Sequence, residues 1–259
     1  MAESRAVTGS TADAGMDVPA SMDAPADIAR YLQESPMLDF SSPTIRTLVE
    51  ERGWRSLGEF ERIRAIYNFV RDEILFGYNV DDSIPASRVL ADGYGQCNTK
   101  GTLFMALLRC CGVPCRVHGF TIDKRLQKGA MTGLVYRIAP RDVFHSWVEV
   151  LLEGTWYELE AFIVDRVYLE RLQAANPGCT GAFCGFGVAV SDLRHPVIDF
   201  NRNSTYIQSE GINRDFGVYD TPDELLKHHH QDMSPLKAFV YRNLGRHLMN
   251  ANVRRVREG

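Results

Sequence analysis

Cys97 is the residue of this sequence best placed to act as a nucleophile. It follows Gly93 and Gly95, which permit the tight backbone that can present a side chain to a surface cleft. It also opens a run of good helix formers, and at a helix N-terminus the dipole and the unpaired N–H groups stabilise a thiolate. A buried structural cysteine is the alternative, because that is the usual environment of a free cysteine.

A β-hairpin is predicted for strands 144–152 and 155–162, which are joined by the dipeptide Glu153-Gly154. A two-residue turn places Leu152 opposite Thr155, and this pairing sets the register of the whole hairpin. Side chains alternate along each strand, so one face of the hairpin is predicted to carry His145, Trp147, Trp156, Glu158, Glu160 and Phe162.

On that face His145 and Glu160 are diagonal neighbours, because Glu160 is predicted to lie opposite Trp147. Their Cβ atoms would be roughly 7 Å apart, a separation that an imidazole and a carboxylate can close. Glu158 is two residues nearer the turn, opposite Glu149, and is predicted to be out of easy reach of His145. A register error of one residue would turn Glu160 to the other face.

Cysteine catalysis needs a nucleophile, a base and a group that orients the base. Cys97, His145 and Glu160 have the residue types for these three roles. Separately, His145 could be a half-exposed strand histidine and Glu160 an ordinary edge carboxylate. The arrangement of all three together favours a catalytic site.

The elements around these residues predict an α+β fold. Apolar residues recur at three- and four-residue steps over 59–76, as in an amphipathic helix, and another helix is predicted to start at Ser42-Pro43. The run 103–108 is apolar on every side and stops at Gly112-Val113-Pro114, which indicates a buried central helix that begins near Cys97. A short helical turn is predicted at 87–90, strands at 115–121 and 133–139, and helices at 165–175 and 234–250.

Two stretches of this sequence resemble the transglutaminase-like superfamily, which has a papain-like fold. They are GYGQCNTKGTLFMALLRCCGVPCRVHGF and, after a gap, HSWVEVLLEGTWYELEAF. The resemblance covers about residues 60–165 and is that of an intracellular member of bacterial type. It implies a central buried helix packed on an antiparallel sheet, with Cys97 as nucleophile, His145 as base and Glu160 as third member. The family usually has Asp at this last position, so the longer Glu is expected to weaken the orienting role slightly.

The oxyanion of such a reaction would be stabilised by the backbone N–H of Cys97 at the helix N-terminus. A side-chain donor could be Gln96 or Tyr94, and the sequence does not choose between them. Trp147 is expected to pack beside the imidazole rather than to donate.

The chain is predicted to be one transglutaminase-like domain, residues 28–259, with a C-terminal helical extension. Residues 1–27 are rich in Ala, Ser and Asp and lack aromatic residues, so we expect a disordered or loosely attached arm.

Residues 176–190 contain four glycines with Phe183 and Phe186 between them. This segment could be a flexible loop over the cleft or a plain surface connection. The basic C-terminal stretch is expected to be a solvated helix face, and an anionic contact is the alternative.

Composition excludes several classes of protein. The 259 residues carry a net charge of −4, which argues against nucleic-acid binding by overall charge, and no apolar run is long enough to cross a bilayer. The N-terminal stretch lacks a secretory signal pattern, so a cytoplasmic location with six reduced cysteines is expected. The cysteine spacings match no zinc site, and His228–His230 is expected to be a solvated helix end. No metal, cofactor or membrane partner is therefore expected.

These features predict a cysteine-dependent hydrolase that acts on an amide, ester or thioester through an acyl-cysteine. An acyltransferase of transglutaminase type is the first alternative, and a non-catalytic binding scaffold is the second. The expected partner is a small-molecule or peptide acyl substrate, and the oligomeric state stays open.

Overall fold

The computed structural model describes residues 25–231 and 233–259, so residues 1–24 of the predicted N-terminal arm lie outside the described residues. The α-helices are α1 (Pro25–Ile28), α2 (Pro43–Arg52), α3 (Glu59–Asp72), α4 (Ala86–Asp92), α5 (Cys97–Cys110), α6 (Gly133–Ile138), α7 (Arg166–Ala175), α8 (Pro222–His228), α9 (Pro235–Val240) and α10 (Arg246–Glu258). The β-strands are β1 (Leu75–Phe76), β2 (Tyr94–Gly95), β3 (Cys115–Asp123), β4 (Asp142–Leu152), β5 (Thr155–Leu159), β6 (Phe183–Gly185), β7 (Val188–Val190) and β8 (Ile212–Tyr219). In the described part of the chain, each helix is too short or too polar to span a membrane.

A central helix packed on an antiparallel sheet is the core of the fold, as the α+β prediction requires. The sheet has four strands in the order β5-β4-β3-β8. Helix α5 is buried from Cys97 to Arg109 and lies against β4, where a Cβ on Gly101 would be 3.6 Å from Val148. A helix that is apolar on all sides has to be covered on all sides, and here the sheet and helices α2, α3 and α4 cover it.

The hairpin of β4 and β5 has the predicted register. Glu153 and Gly154 both have positive φ values, 51° and 81°, as a tight two-residue turn of primed type requires. Leu152 pairs with Thr155, and Glu149 pairs with Glu158.

Strand β5 ends at Leu159, three residues earlier than predicted. At Glu160 the backbone leaves the strand (φ −121°, ψ −34°) and enters a 3-10 turn at 161–163. The cause is a second pairing on the outer side of β5: Thr205 donates its N–H to Glu158 O, and Glu160 donates its own to Thr205 O, each at 2.9 Å. Glu160 and Phe162 therefore do not sit opposite Trp147 and His145 as strand residues.

The helix predictions are largely confirmed, with shifts at the ends. Helix α2 begins at Pro43 after Ser42, and helix α4 extends over the predicted turn at 87–90. Helix α3 ends at Asp72 rather than at residue 76, because Leu75–Phe76 pair in parallel with Tyr94–Gly95 just before Cys97.

The strand predicted at 133–139 is wrong, since this segment forms helix α6. Strand β3 is paired with β4 on one side and with β8 on the other, so the position beside it is already filled. Strand β8 comes from much later in the chain and carries mostly exposed side chains, which is why no alternating pattern revealed it.

The glycine-rich segment 176–190 forms the small hairpin β6–β7 instead of a flexible loop. Phe186 has a φ of +53° and packs so closely on Gly129 that a Cβ there would be 2.6 Å from its ring. Phe186 N–H and Gly187 N–H donate to Lys128 O and Leu126 O at 2.7 and 2.9 Å. These contacts anchor the segment to the chain around residue 128.

The C-terminal extension packs back onto the domain. Met249 and Val253 of α10 are buried, and Arg257 forms an ion pair with Asp165 at the start of α7. Helices α9 and α10 are joined by a π-helical turn, Tyr241–Gly245, so residues 235–258 are helical throughout.

Candidate active site

Cys97 is the first residue of α5 and is 9 % exposed. Its position depends on Gly95, because a Cβ there would lie 2.7 Å from Thr99 Oγ1 and 2.9 Å from Lys100 Cγ. Thr99 Oγ1 in turn accepts the N–H of Gln96 at 3.1 Å, which caps the helix. A glycine two residues before the cysteine is thus required by close packing at the helix start.

His145 and Glu160 form a buried pair. Nε2 of His145 lies 2.8 Å from Oε1 of Glu160, and both side chains are fully buried. The second carboxylate oxygen of Glu160 accepts the backbone N–H groups of Ile207 and Gln208, each at 2.8 Å. Both oxygens are therefore engaged, and the carboxylate is held rigidly against one edge of the imidazole.

The other ring nitrogen of His145, Nδ1, is buried without a hydrogen-bond partner among the described residues. Burial by itself lowers the pKa of His145, but Cys97 and the hydrogen-bonded Glu160 outweigh it, so the pKa is raised. Phe120 packs edge-on against the ring, with the centroids 4.8 Å apart. The site thus stabilises the imidazolium, the form of His145 that remains after it has taken a proton from a thiol.

Glu158, the other carboxylate of the hairpin, has a different partner. It pairs with Glu149 across the hairpin and accepts a hydrogen bond from the Tyr206 hydroxyl. Only Glu160 of the two is bonded to His145.

Cys97 opens on a cleft of about 410 Å³. The side chains that line it come from the loop at 78–83, from the start of α5, from the chain around α6 and from the C-terminal segment 226–249. Apolar groups form much of the lining, among them Met131, Val143, Phe144, Leu226, Val240 and Met249. A cleft of this size and polarity is typical of small-molecule and acyl-group sites.

A second carboxylate, Asp82, lines the cleft with Cys97. Its Oδ1 accepts a hydrogen bond from Gln96 Nε2 at 2.8 Å. Burial raises the pKa of Asp82, although the bonds from Gln96 and Asn98 and the charge of His145 oppose the increase. Its neighbour Asp81 is instead paired with Arg242.

Part of the chain matches a known protein family. Residues 49–161 match the family model of the transglutaminase-like superfamily, whose members are typically cysteine-based enzymes. This segment belongs to the transglutaminase-like superfamily. It contains Cys97, His145 and Glu160. None of the curated proteins compared matches the sequence.

The solved structures that are similar to the chain include the following two. One is a proposed cysteine protease from Cytophaga hutchinsonii, with 13 % identity and a TM-score of 0.45, matched over 78 % of this chain and 50 % of that one. The other is red sea bream transglutaminase, with 20 % identity and a TM-score of 0.29, matched over 51 % of this chain and 26 % of that one. The chain thus spans half of the first protein and about a quarter of the second.

Within the transglutaminase-like core, the three candidate oxyanion residues have other surroundings. The Gln96 amide is engaged at both ends, since its Oε1 accepts Asn79 N–H at 2.9 Å and its Nε2 donates to Asp82. Tyr94 packs on Gly77 and does not line the cleft. Trp147 packs at a tilt on Phe120, with the ring centroids 4.6 Å apart, and Phe120 is the ring that packs directly against the imidazole.

Two features of the cleft were not predicted from the sequence. Asn98 accepts a hydrogen bond from the Ser146 hydroxyl at 2.9 Å and so links the start of α5 to β4 at the residues that follow Cys97 and His145. The sequence signal that could have identified Asn98 is its position directly after Cys97. The second feature is the part of the cleft lining that comes from segment 226–249, which we call the C-terminal wall, whereas segment 176–190 contributes no residue to the lining. Because this wall depends on long-range packing, no local pattern indicated it. In the described ranges, no group of three His, Cys, Asp or Glu residues is arranged to bind a metal ion.

Proposed function

We propose that this protein is a cysteine hydrolase that cleaves an amide, ester or thioester through an acyl-Cys97 intermediate. The observation that carries the proposal is the buried His145, whose Nε2 is bonded to Glu160 while Nδ1 has no hydrogen-bond partner among the described residues. The nearby Cys97 raises the pKa of this histidine. A base held by a carboxylate beside a thiol at a helix start is the arrangement that activates a cysteine.

In the first half-reaction the Cys97 thiol gives its proton to His145 Nδ1, and Sγ attacks the carbonyl carbon of the substrate. The carbonyl electrons move to oxygen, and the resulting oxyanion is stabilised by the backbone N–H of Cys97, which has no intrahelical partner in the first turn of α5. When the intermediate collapses, the bond to the leaving group breaks and His145 returns the proton to that group. Acyl-Cys97 remains.

In the second half-reaction a water molecule gives a proton to Nδ1 and adds to the acyl carbon. Collapse releases the carboxylic acid, and the proton returns to Sγ. Glu160 keeps its carboxylate on Nε2 throughout, which holds the ring with Nδ1 towards Cys97. The apolar lining of the cleft suits the acyl part of a small molecule or peptide.

The test is to trap the intermediate. The protein is mixed with a chromogenic ester, quenched in acid and analysed by peptide mass spectrometry. We expect an acyl adduct on Cys97, which is absent in Cys97→Ser, and normal turnover in Cys184→Ser, where an exposed cysteine outside the cleft is replaced. Absence of turnover and of adduct over a panel of esters, thioesters and amides would favour a binding scaffold.

Acyl transfer to an amine is the second candidate, and the C-terminal wall is the observation that favours it. Exclusion of water from an acyl-enzyme requires a cover, and residues 226–249 supply one side of the cleft. Increasing amounts of a small amine in the ester assay decide between the two. Free acid as the main product supports hydrolysis, whereas amide as the main product at low amine concentration supports transfer.

A further inference from the structure

The outer surface of helical segment 235–258 exposes large apolar side chains. These are Leu236, Phe239, Leu244 and Leu248, with exposed fractions of 73 %, 65 %, 55 % and 46 %. Scattered apolar residues are normal on a protein surface, but four large ones along a single helical segment form a patch of the kind that marks an interaction site. We call these four residues the outer face.

The opposite side of the same segment explains why it is held in place. Met249 and Val253 are buried, and the Tyr241 hydroxyl donates to Asn79 O at 3.1 Å. Ala238 and Gly245 line the cleft. The apolar residues of the outer face are therefore not needed to pack the segment onto the domain.

The charge of this segment is opposite to that of the rest of the chain. It contains six Lys and Arg residues and one Glu, a formal charge of +5, whereas the whole chain carries −4. Arg242 and Arg257 are paired with Asp81 and Asp165. Arg254 and Arg255 are exposed and have no ion pair in the described part of the chain. Lys237 is also exposed, but it lines the cleft and so lies on the inner side of the segment. Free positive charge thus accompanies the exposed apolar residues.

A partner for this surface has to accommodate both the exposed apolar side chains and the free positive charge. Two copies of the chain that met through this segment would oppose like charges, which is unfavourable. Nucleic acid would attract the Lys and Arg side chains but would leave four large apolar side chains without a contact. An anionic lipid surface uses both, because Leu and Phe enter the boundary between headgroups and acyl chains while Lys and Arg contact the headgroups.

We propose that the outer face of segment 235–258 docks on an anionic lipid surface, with the segment parallel to that surface. This is peripheral binding and requires no membrane-spanning helix. It is independent of the chemistry at Cys97. Because the inner side of the same segment lines the cleft, only this helical segment separates the cleft from the lipid in a docked protein.

Vesicle flotation of the full chain tests the proposal. One set of vesicles contains phosphatidylcholine only, and the other contains equal parts of phosphatidylcholine and phosphatidylserine. We expect the protein to float with the second set and not with the first, and to be released by about 0.5 M salt, which screens the attraction. Leu236→Ser with Phe239→Ser is expected to weaken partitioning about tenfold, and Arg254→Gln with Arg255→Gln by a similar factor.

Matched substitutions elsewhere on the surface serve as controls. Val167 and Val197 are 52 % and 56 % exposed, so Val167→Ser with Val197→Ser removes two exposed apolar side chains outside the segment. Arg125→Gln with Arg171→Gln removes two exposed charges outside the segment. Thermal unfolding verifies that each variant is folded. Absence of flotation with either vesicle, or equal losses in outer-face and control variants, would overturn the proposal. A dimer in light scattering that Leu236→Ser with Phe239→Ser dissociates, without lipid binding, would assign the outer face to a second copy instead.

Discussion

Glu160 holds His145 from a position just outside the hairpin strand, with Oε1 2.8 Å from Nε2. Strand β5 ends at Leu159, and the backbone of Glu160 turns away to pair with Thr205. The carboxylate reaches back to the imidazole while its other oxygen accepts two backbone N–H groups. The extra methylene of Glu relative to Asp suits this longer reach, so the expected weakening by Glu is not required by the geometry.

Glu160→Gln and Glu160→Asp are each expected to lower kcat/KM by orders of magnitude. The first removes the charge that stabilises the imidazolium, and the second is too short to engage His145 and the N–H groups of 207 and 208 together. Ester turnover measures the effect. Glu158→Gln is the matched control, because Glu158 bonds Tyr206 and should change activity little. A larger loss at Glu158 than at Glu160 would contradict the assignment.

Cys97 is expected to be the first cysteine alkylated by limiting iodoacetamide, even though Cys184 is more exposed. Burial raises the pKa of Cys111 to about 11 and also raises the pKa values of Cys110, Cys115 and Cys184. These thiols stay protonated at neutral pH, whereas Cys97 has His145 as a base. Peptide mapping follows each site over time. His145→Ala should slow the alkylation of Cys97 without changing the alkylation of the other cysteines. Faster labelling of Cys184 than of Cys97 in the native protein would contradict the assignment of Cys97 as the nucleophile.

The buried Lys100 should make folding stability depend on pH. It is fully buried and donates to Arg71 O at 3.2 Å and to Ile163 O at 3.0 Å. Burial lowers its pKa from 10.5 to about 7. Between these values the unfolded chain binds the proton and the folded chain does not, so raising the pH from 7 to 10 stabilises the fold through this group.

Urea unfolding of wild type and Lys100→Met at several pH values isolates this contribution. The free energy of unfolding of wild type, relative to the variant, should rise with pH by up to a few kcal/mol over that interval. Exposed Lys128→Met should show the same pH dependence as wild type. Parallel curves for wild type and Lys100→Met would show that Lys100 keeps an ordinary pKa.

The C-terminal wall should limit the size of the acyl group. Ala238→Trp places a large side chain in the cleft lining, so KM for long-chain esters should rise about tenfold while acetyl ester turnover changes little. Leu236→Trp changes the exposed opposite side of α9 and is the control. Equal kinetics for the two variants would mean that segment 235–249 does not contact the acyl chain.

The local sequence determined the hairpin register and the buried central helix. Glu153-Gly154 allows a two-residue turn, and that turn fixes which residues of β4 and β5 pair. The apolar run 103–108 similarly required a buried helix, and close packing at the start of that helix required a glycine at position 95. These features depend on interactions between residues close in the chain, so their patterns could be recognised.

Tertiary structure decided what lies beside these elements. Thr205 ends β5 at Leu159, and the N–H groups of residues 207 and 208 orient Glu160, although more than forty residues separate them along the chain. Strand β8 fills the sheet position next to β3, which leaves residues 133–138 helical. The C-terminal segment, rather than 176–190, lines the cleft. Each of these outcomes depends on contacts and backbone hydrogen bonds between segments that are distant in the chain, so no local pattern could indicate them.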